Sequence, residues 1–214
     1  MKARLLVFVA IVLGFSGCSS VYYGTMEKLG VHKREIMMDR VQAARDTQRD
    51  AKEQFVAAME QFRSVVNFKG GDLEKAYDEL SSTLKKSESE AAAVHDRISA
   101  VEDVSEALFD EWRQEIKQYS SNTLRQASQR KFDITKAKYQ ELIASMKRAE
   151  AKLEPVLVPL RDQVLFMKHN LNAKAIAGLS DELVSVQASV DKLVRDMDAA
   201  IAKADLFIAT LKTE

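Results

Sequence analysis

The chain contains few of the residues that interrupt helices or cross-link a fold. Its 214 residues include only two prolines, seven glycines and one cysteine. So few helix breakers, with charged residues at 30%, favour long helices over sheets. A single cysteine excludes a framework of disulfides within the chain. The 32 basic and 32 acidic residues balance, which excludes the strongly basic class of nucleic-acid-binding proteins.

The one cysteine ends an N-terminal segment with its own composition. Lys2 and Arg4 precede an apolar run at residues 5–15, and small residues separate that run from Cys18. Basic, apolar and small residues in this order are typical of a secretory signal peptide. The run is shorter than the roughly 20 residues of a membrane-spanning helix. Phe15-Ser16-Gly17-Cys18 resembles the bacterial lipobox, with Phe15 where that motif usually has Leu.

The lipobox resemblance implies that residues 1–17 are removed and that Cys18 receives a lipid anchor. Ser19 stands where an Asp is associated with retention at the inner membrane, so the resemblance implies the outer membrane, facing the periplasm. The alternative is that Cys18 merely ends the signal helix. We therefore expect a signal peptide at 1–17, a lipid-anchored linker at 18–25 and a single domain at 26–214.

Apolar residues recur at alternating steps of three and four in four successive segments. This spacing places them in a stripe, or seam, along one helix face, as in coiled coils and helical bundles. The last segment has an apolar residue at every seam position: Ile176, Leu179, Leu183, Val186, Val190, Leu193, Met197, Ala200, Ala204, Phe207 and Leu211. The pattern predicts an all-α fold.

Turn-forming residues separate the four segments, at Gly70-Gly71, at residues 120–122 and at Asn170 and Asn172. Short connections between helices of similar length favour an antiparallel arrangement. We therefore predict a long antiparallel four-helix coiled-coil bundle, with helices near 26–67, 72–119, 122–170 and 173–212. Seams that pair between chains are the alternative, and a homo-oligomer is compatible with either arrangement.

Charge is unevenly spread over the middle of the chain. Residues 72–117 carry 13 acidic and 6 basic side chains, whereas residues 121–152 carry 8 basic and 3 acidic ones. Neighbouring antiparallel helices would pair these charges and thereby fix their orientation. The alternative is that Arg125, Arg130 and Lys131, near the membrane end, contact anionic lipid headgroups.

Residues 154–167 are apolar around much of a helix circumference and include Pro155 and Pro159. Each proline removes a backbone donor, so we expect a kink or local unwinding in the third helix. A helix that is apolar on most sides must be covered from more than one direction. Either the core is thicker there, or the segment docks an unidentified protein. The candidate patch comprises Val158, Leu165, Phe166, His169 and Asn170.

Catalytic and metal chemistry are not indicated. The histidines are His32, His95 and His169, and none has a second His or Cys at metal-ligand spacing. The glycines form neither a phosphate-binding loop nor a dinucleotide fingerprint. We expect no enzymatic activity, no cofactor and no metal site.

The chain also resembles an uncharacterised family of Gram-negative lipoproteins, domain of unknown function 2959. The resemblance lies in SVYYGTMEKLGVHKREIMMDRV, DEWRQEIKQYSS, RAEAKLEPVL and RDQVLFMKHNLNAKAIAGL. It implies a helical exported protein and assigns no activity, cofactor or catalytic residue.

Together these patterns favour a lipid-anchored structural or interaction module of the outer membrane. It would be held through Cys18 and would contact an unknown protein, with no nucleic acid involved. The alternative is a self-assembling helical protein that acts in membrane remodelling or envelope stress. An enzyme or metal protein is the least favoured class.

Overall fold

A computed structural model describes residues 32–68, 70, 72–172, 176 and 178–213. The predicted signal peptide, linker and lipidated Cys18 lie outside these residues. The described helices are α1 (Lys33–Val66), α2 (Leu73–Gln118), α3 (Asn122–Glu150), α4 (Leu153–His169) and α5 (Ser180–Thr213). The all-α prediction is confirmed. Within the described ranges, no helix is both long and apolar enough to cross a membrane.

The predicted turn residues end and begin helices in the expected way. Gly70, between α1 and α2, has a φ of 133°, a conformation that favours glycine. The Asp72 side chain caps α2 by accepting a hydrogen bond from the Lys75 backbone N–H at 3.0 Å. Ser121 caps α3 by accepting one from the Leu124 N–H at 3.4 Å. Local turn chemistry therefore sets where α2 and α3 begin.

The helices pack side by side in an antiparallel ring. α1 packs against α2 and α5, and the rod formed by α3 and α4 packs against the same two helices. Lys33 pairs with Glu111 at 3.0 Å, whereas Gln54 donates to Ser87 Oγ at 3.3 Å. Residue numbers therefore increase along α1 in the direction in which they decrease along α2, so the two helices are antiparallel. α2 has 46 residues and is about 70 Å long, so the bundle is elongated.

The core follows the predicted seams. Every residue in the last segment's seam is buried except Leu183, which is half-buried against the core. Gln48 occupies a seam position of α1 and is fully buried, and among the described residues neither of its amide atoms has a hydrogen-bond partner. A buried amide left unpaired costs about 1–3 kcal/mol. Gln48 is thus a weak point within an otherwise apolar seam.

The third predicted helix, 122–170, is two helices rather than one. α3 ends at Glu150, Ala151 and Lys152 form a turn, and α4 begins at Leu153. The break lies before Pro155 because its ring lacks an N–H and would clash with the carbonyl four residues earlier, on Ala151. In the first turn of α4, Pro155 needs no intrahelical donor. Pro159 lies inside α4.

Other predicted boundaries differ less. α1 starts at Lys33 among the described residues, and the predicted stretch 26–31 lies outside them. α5 starts at Ser180, whereas the predicted start at 173 also falls outside the described residues. The fold therefore places the α2–α3 turn at the end of the bundle where α1 begins, and α4 toward the other end.

Candidate binding surfaces at the two ends of the bundle

Ion pairs join neighbouring helices along the body of the bundle. Lys52 of α1 pairs with Asp198 of α5 at 2.7 Å, and Lys147 of α3 pairs with Glu102 of α2 at 2.5 Å. The second contact is of the predicted kind, between the acidic second helix and the basic third. Exposed pairs of this kind add little stability but favour one helix orientation over others.

The pairing stops before the α2–α3 turn. We call residues 113–131 the basic hairpin, since they hold five basic side chains and a single acidic one, Glu115. Arg113 pairs with Asp110 one turn earlier in α2. Within the described part of the chain, the remaining four form no ion pair: Lys117, Arg125, Arg130 and Lys131. The candidate headgroup residues are therefore unpaired cations.

The tip of the basic hairpin extends beyond the ends of the other described helices. Lys33, the first residue of α1, lies beside Glu111, and α2 continues to Gln118, about 10 Å further. A pocket of about 150 Å³ marks the junction and is lined by Arg34, Leu108, Glu111, Trp112, Glu115 and Leu211. Of the described helices, only α2 and α3 continue past it.

Local contacts hold the hairpin together. Trp112 Nε1 donates a hydrogen bond to Ser128 Oγ at 2.9 Å, and the indole packs edge-on against the Phe132 ring with centroids 5.6 Å apart. Across the turn, the Arg125 guanidinium donates to the Tyr119 carbonyl oxygen at 2.6 Å. The cation at the tip therefore has a defined position on a folded hairpin.

The tip also exposes apolar side chains. Tyr119 is 38% exposed and Leu124 is 56% exposed. Leu124 directly precedes Arg125 in the chain, and the carbonyl oxygen of Tyr119 accepts the hydrogen bond from Arg125. Sequence reasoning selected three cations but missed Lys117, Tyr119 and Leu124. The available signal was their position, because all three lie within a few residues of the predicted turn.

At the other end, α4 carries an exposed apolar stripe of three side chains. Val158 is 44% exposed, Leu165 61% and Phe166 42%. The opposite side of α4 is buried in the core through Leu153, Val156, Leu157, Leu160, Val164 and Met167. One side of α4 is therefore core, while the other remains uncovered by the described chain, and docking of a protein there stays a prediction.

The remaining patch residues have different surroundings. His169 is exposed. Asn170 is half-buried, and its Nδ2 donates to the Phe166 carbonyl oxygen at 2.9 Å, so it closes the C-terminal end of α4. Leu171, which sequence reasoning treated only as part of a turn, is 39% exposed beside the stripe. The structure thus groups Val158, Leu165 and Phe166 on an outward face and gives Asn170 a capping role.

Arg161 fixes α4 against α2 beside the stripe. Its guanidinium donates to Glu88 of α2 at 2.6 Å and to Glu154 of α4 at 2.5 Å. The hydrogen bond with Glu88, followed by the one with Glu154, raises the pKa of Arg161. In contrast with the basic hairpin, the cation here is neutralised by two carboxylates.

One titratable pair lies between the two ends. His95 Nδ1 of α2 is 2.6 Å from Glu150 Oε1, at the last residue of α3. This hydrogen bond, together with the charge of Glu150, raises the pKa of His95 above its ordinary value. Across the described residues, no three His, Cys, Asp or Glu side chains form a group suited to a metal ion.

A family model described as "Protein of unknown function (DUF2959)" matches residues 22–211. The match covers most of the chain, including all the described helices up to the last turn of α5. No curated protein and no solved structure matches this chain.

Proposed function

The chain belongs to the DUF2959 family, whose description assigns no activity, and we propose that it is a non-enzymatic interaction module. In this proposal a lipid on Cys18 anchors it to the periplasmic face of the bacterial outer membrane. The observation that carries the proposal is the apolar stripe on α4, exposed far from the start of α1. An anchored bundle would present this stripe away from the bilayer.

The separation follows from contacts along α2. Glu111 lies beside the first residue of α1, and Glu88 contacts α4 at Arg161. These two positions are 23 residues apart on one helix, which is about 35 Å. The stripe is therefore well removed from the point where the N-terminal segment joins the bundle.

The stripe suits a protein contact because of its chemistry. Burying a side chain such as Leu165 or Phe166 contributes about 1.5–3 kcal/mol, and contiguous exposed apolar groups commonly mark interaction sites. α4 is held in place by its buried face and by Arg161, so the three side chains form a preorganised surface.

The anchor is tested by Cys18→Ala in cells of a Gram-negative host. Without a thiol to acylate, the variant should appear in the soluble periplasmic fraction after a high-salt wash, whereas Ser19→Ala should remain with the membrane. Membrane retention of Cys18→Ala after the same wash, in protein that mass spectrometry shows to lack residues 1–17, would refute the lipid anchor.

The docking surface is tested by a photo-crosslinking amino acid placed at Leu165. We expect one discrete protein adduct in cells. The control places the same group at Lys192, an exposed position on α5. Identical adducts at the two positions would show random collision and would contradict a specific docking surface.

The stripe also favours one alternative, association between copies of the chain. Two copies can pair through the same surface when a two-fold axis relates them. Under this alternative, residues 22–214 form a concentration-dependent dimer in analytical ultracentrifugation, and Phe166→Ser returns them to monomers. If the wild-type protein remains monomeric at all concentrations, dimerisation through the stripe is excluded, and self-assembly through this surface is excluded with it.

A further inference from the structure

The basic hairpin carries positive charge that the described part of the chain does not neutralise. In the body, cations such as Lys52 and Lys147 lie beside carboxylates of neighbouring helices. In the hairpin, Lys117, Arg125, Arg130 and Lys131 form no such pair among the described residues. Four like charges on one hairpin create a local positive potential, which attracts a polyanionic surface.

The apolar groups at the tip indicate which polyanion. Tyr119 and Leu124 are exposed beside Arg125. Aromatic side chains favour the headgroup level of a bilayer, and apolar side chains flanked by Lys and Arg enter the interface of anionic membranes. Nucleic acid would use the charge but would give Leu124 no apolar environment.

The position of the hairpin is compatible with a membrane contact. It projects about 10 Å past Glu111, at the same end as His32. Cys18 is 14 residues before His32, a separation of at most about 50 Å. A chain anchored at Cys18 can therefore bring the hairpin to the bilayer, and this step alone rests on the proposed function.

We propose that the basic hairpin is a second membrane contact, which binds anionic phospholipid headgroups through Lys117, Arg125, Arg130 and Lys131 and places Tyr119 and Leu124 in the interface. Its role is to fix the orientation of the bundle on the bilayer, which a lipid at a single point does not do.

The test uses residues 22–214, which contain every described helix and interhelical contact and lack Cys18. The protein should co-sediment with vesicles rich in phosphatidylglycerol and not with vesicles of phosphatidylcholine alone. Since each basic residue near an anionic surface contributes about a fivefold gain in partitioning, the triple variant Arg125→Gln, Arg130→Gln, Lys131→Gln should bind about a hundredfold more weakly.

A matched variant removes three charges elsewhere: Lys85→Gln, Lys86→Gln and Lys192→Gln, all at exposed positions on the body. It should bind nearly as well as the wild type. An equal loss in the two variants would reduce the effect to overall charge and would overturn the proposal. So would undiminished binding by the hairpin variant, or equal binding to the two kinds of vesicle.

Insertion of the tip is tested separately. Residues 22–214 contain no cysteine, so Leu124→Cys provides a single site for an environment-sensitive dye, with Lys86→Cys as the control. Phosphatidylglycerol vesicles should shift the emission of the dye at position 124 only. A shift with single-stranded DNA and none with vesicles would identify a nucleic-acid surface and refute the membrane proposal.

These outcomes are distinguishable from failure of the proposed function. Vesicle binding is measured on a chain without the anchor, whereas the Cys18→Ala fractionation is scored after high salt has removed electrostatic binding. A hairpin that binds vesicles and a Cys18→Ala variant that lacks residues 1–17 and still stays in the membrane would support this inference and refute the lipid anchor.

Discussion

The basic hairpin and the apolar stripe lie toward opposite ends of one antiparallel bundle, yet they expose opposite chemistry. The hairpin leaves four cations without ion pairs in the described chain, whereas Arg161 beside the stripe contacts Glu88 and Glu154. The stripe instead exposes three large apolar side chains on one outward face. The difference shows that the side chains left exposed or unpaired on a helix depend on which neighbouring helices extend to the same position along the bundle.

The two ends also differ in thickness. At the stripe, α4 packs on both α2 and α5, and α1 contacts α2 at the same level through Gln54 and Ser87. At the hairpin tip, α2 and α3 are the only described helices that continue past Glu111. Local stability follows the amount of buried apolar contact, so the hairpin should open more readily than the body.

The largest expected effect compares one core residue from each region. Phe62 of α1 is fully buried in the body, whereas Ile116 is buried within the two-helix hairpin. Phe62→Ala should lower the free energy of unfolding by about 3–5 kcal/mol, and Ile116→Ala by about 2 kcal/mol, as measured by urea denaturation. An equal loss for the two variants would show that the hairpin is as well covered as the body.

Most of the fold could be predicted because its signal is local and repeated. An alternating spacing of three and four determines a buried helix face whatever the neighbour is, so the last seam, from Ile176 to Leu211, was assigned to the core correctly, with only Leu183 half-buried. Proline chemistry predicted a disturbance in the third helix but not its place. The break at Ala151–Lys152 depends on where Pro155 lies relative to the preceding carbonyl.

The candidate surfaces could be predicted only in part. Leu160 and Leu165 look alike in sequence, yet the first is buried and the second exposed, because only tertiary neighbours decide which side of α4 is covered. Likewise, Arg125 and Lys147 belong to the same basic segment. Lys147 meets Glu102, whereas Arg125 lies past Glu111 in the projecting hairpin.

The next effect concerns the body that connects the two ends. Gln48→Leu removes two amide atoms that have no partner among the described residues, and should raise the free energy of unfolding by about 1–3 kcal/mol. The control is Gln54→Leu, since Gln54 donates to the Thr83 carbonyl at 3.1 Å and to Ser87. No gain for Gln48→Leu in thermal unfolding would indicate that the amide is satisfied in solution.

A smaller effect on stability separates surface from core at the stripe. Leu165→Ser should change the free energy of unfolding by no more than about 0.5 kcal/mol. The same substitution should abolish the protein adduct that forms when the photo-crosslinking amino acid is placed at Val158. Leu160→Ser, five residues earlier on the buried side, should destabilise the protein strongly. Equal destabilisation by the two changes would make the stripe part of the core.

The smallest effect concerns His95 and Glu150, at the joint where α3 gives way to α4. Glu150→Gln removes the carboxylate whose hydrogen bond and charge raise the pKa of His95, so that pKa should fall toward its ordinary value in a proton NMR titration of the imidazole. When the pKa of a histidine is higher in the folded state than in the unfolded state, its protonation stabilises the fold. That stabilisation is fully present at a pH below the unfolded-state pKa, and it disappears as the pH rises through the folded-state pKa.

The thermal-stability difference between wild type and Glu150→Gln should therefore be present on the acid side of the ordinary His pKa and vanish above the raised one. Because the pair is exposed, the difference should be small. The same variant tests whether the two ends communicate. If Glu150→Gln changes neither vesicle binding by the hairpin nor crosslinking at Leu165, the two surfaces act independently on one rigid support; a change in both would make the α3–α4 joint a coupling element.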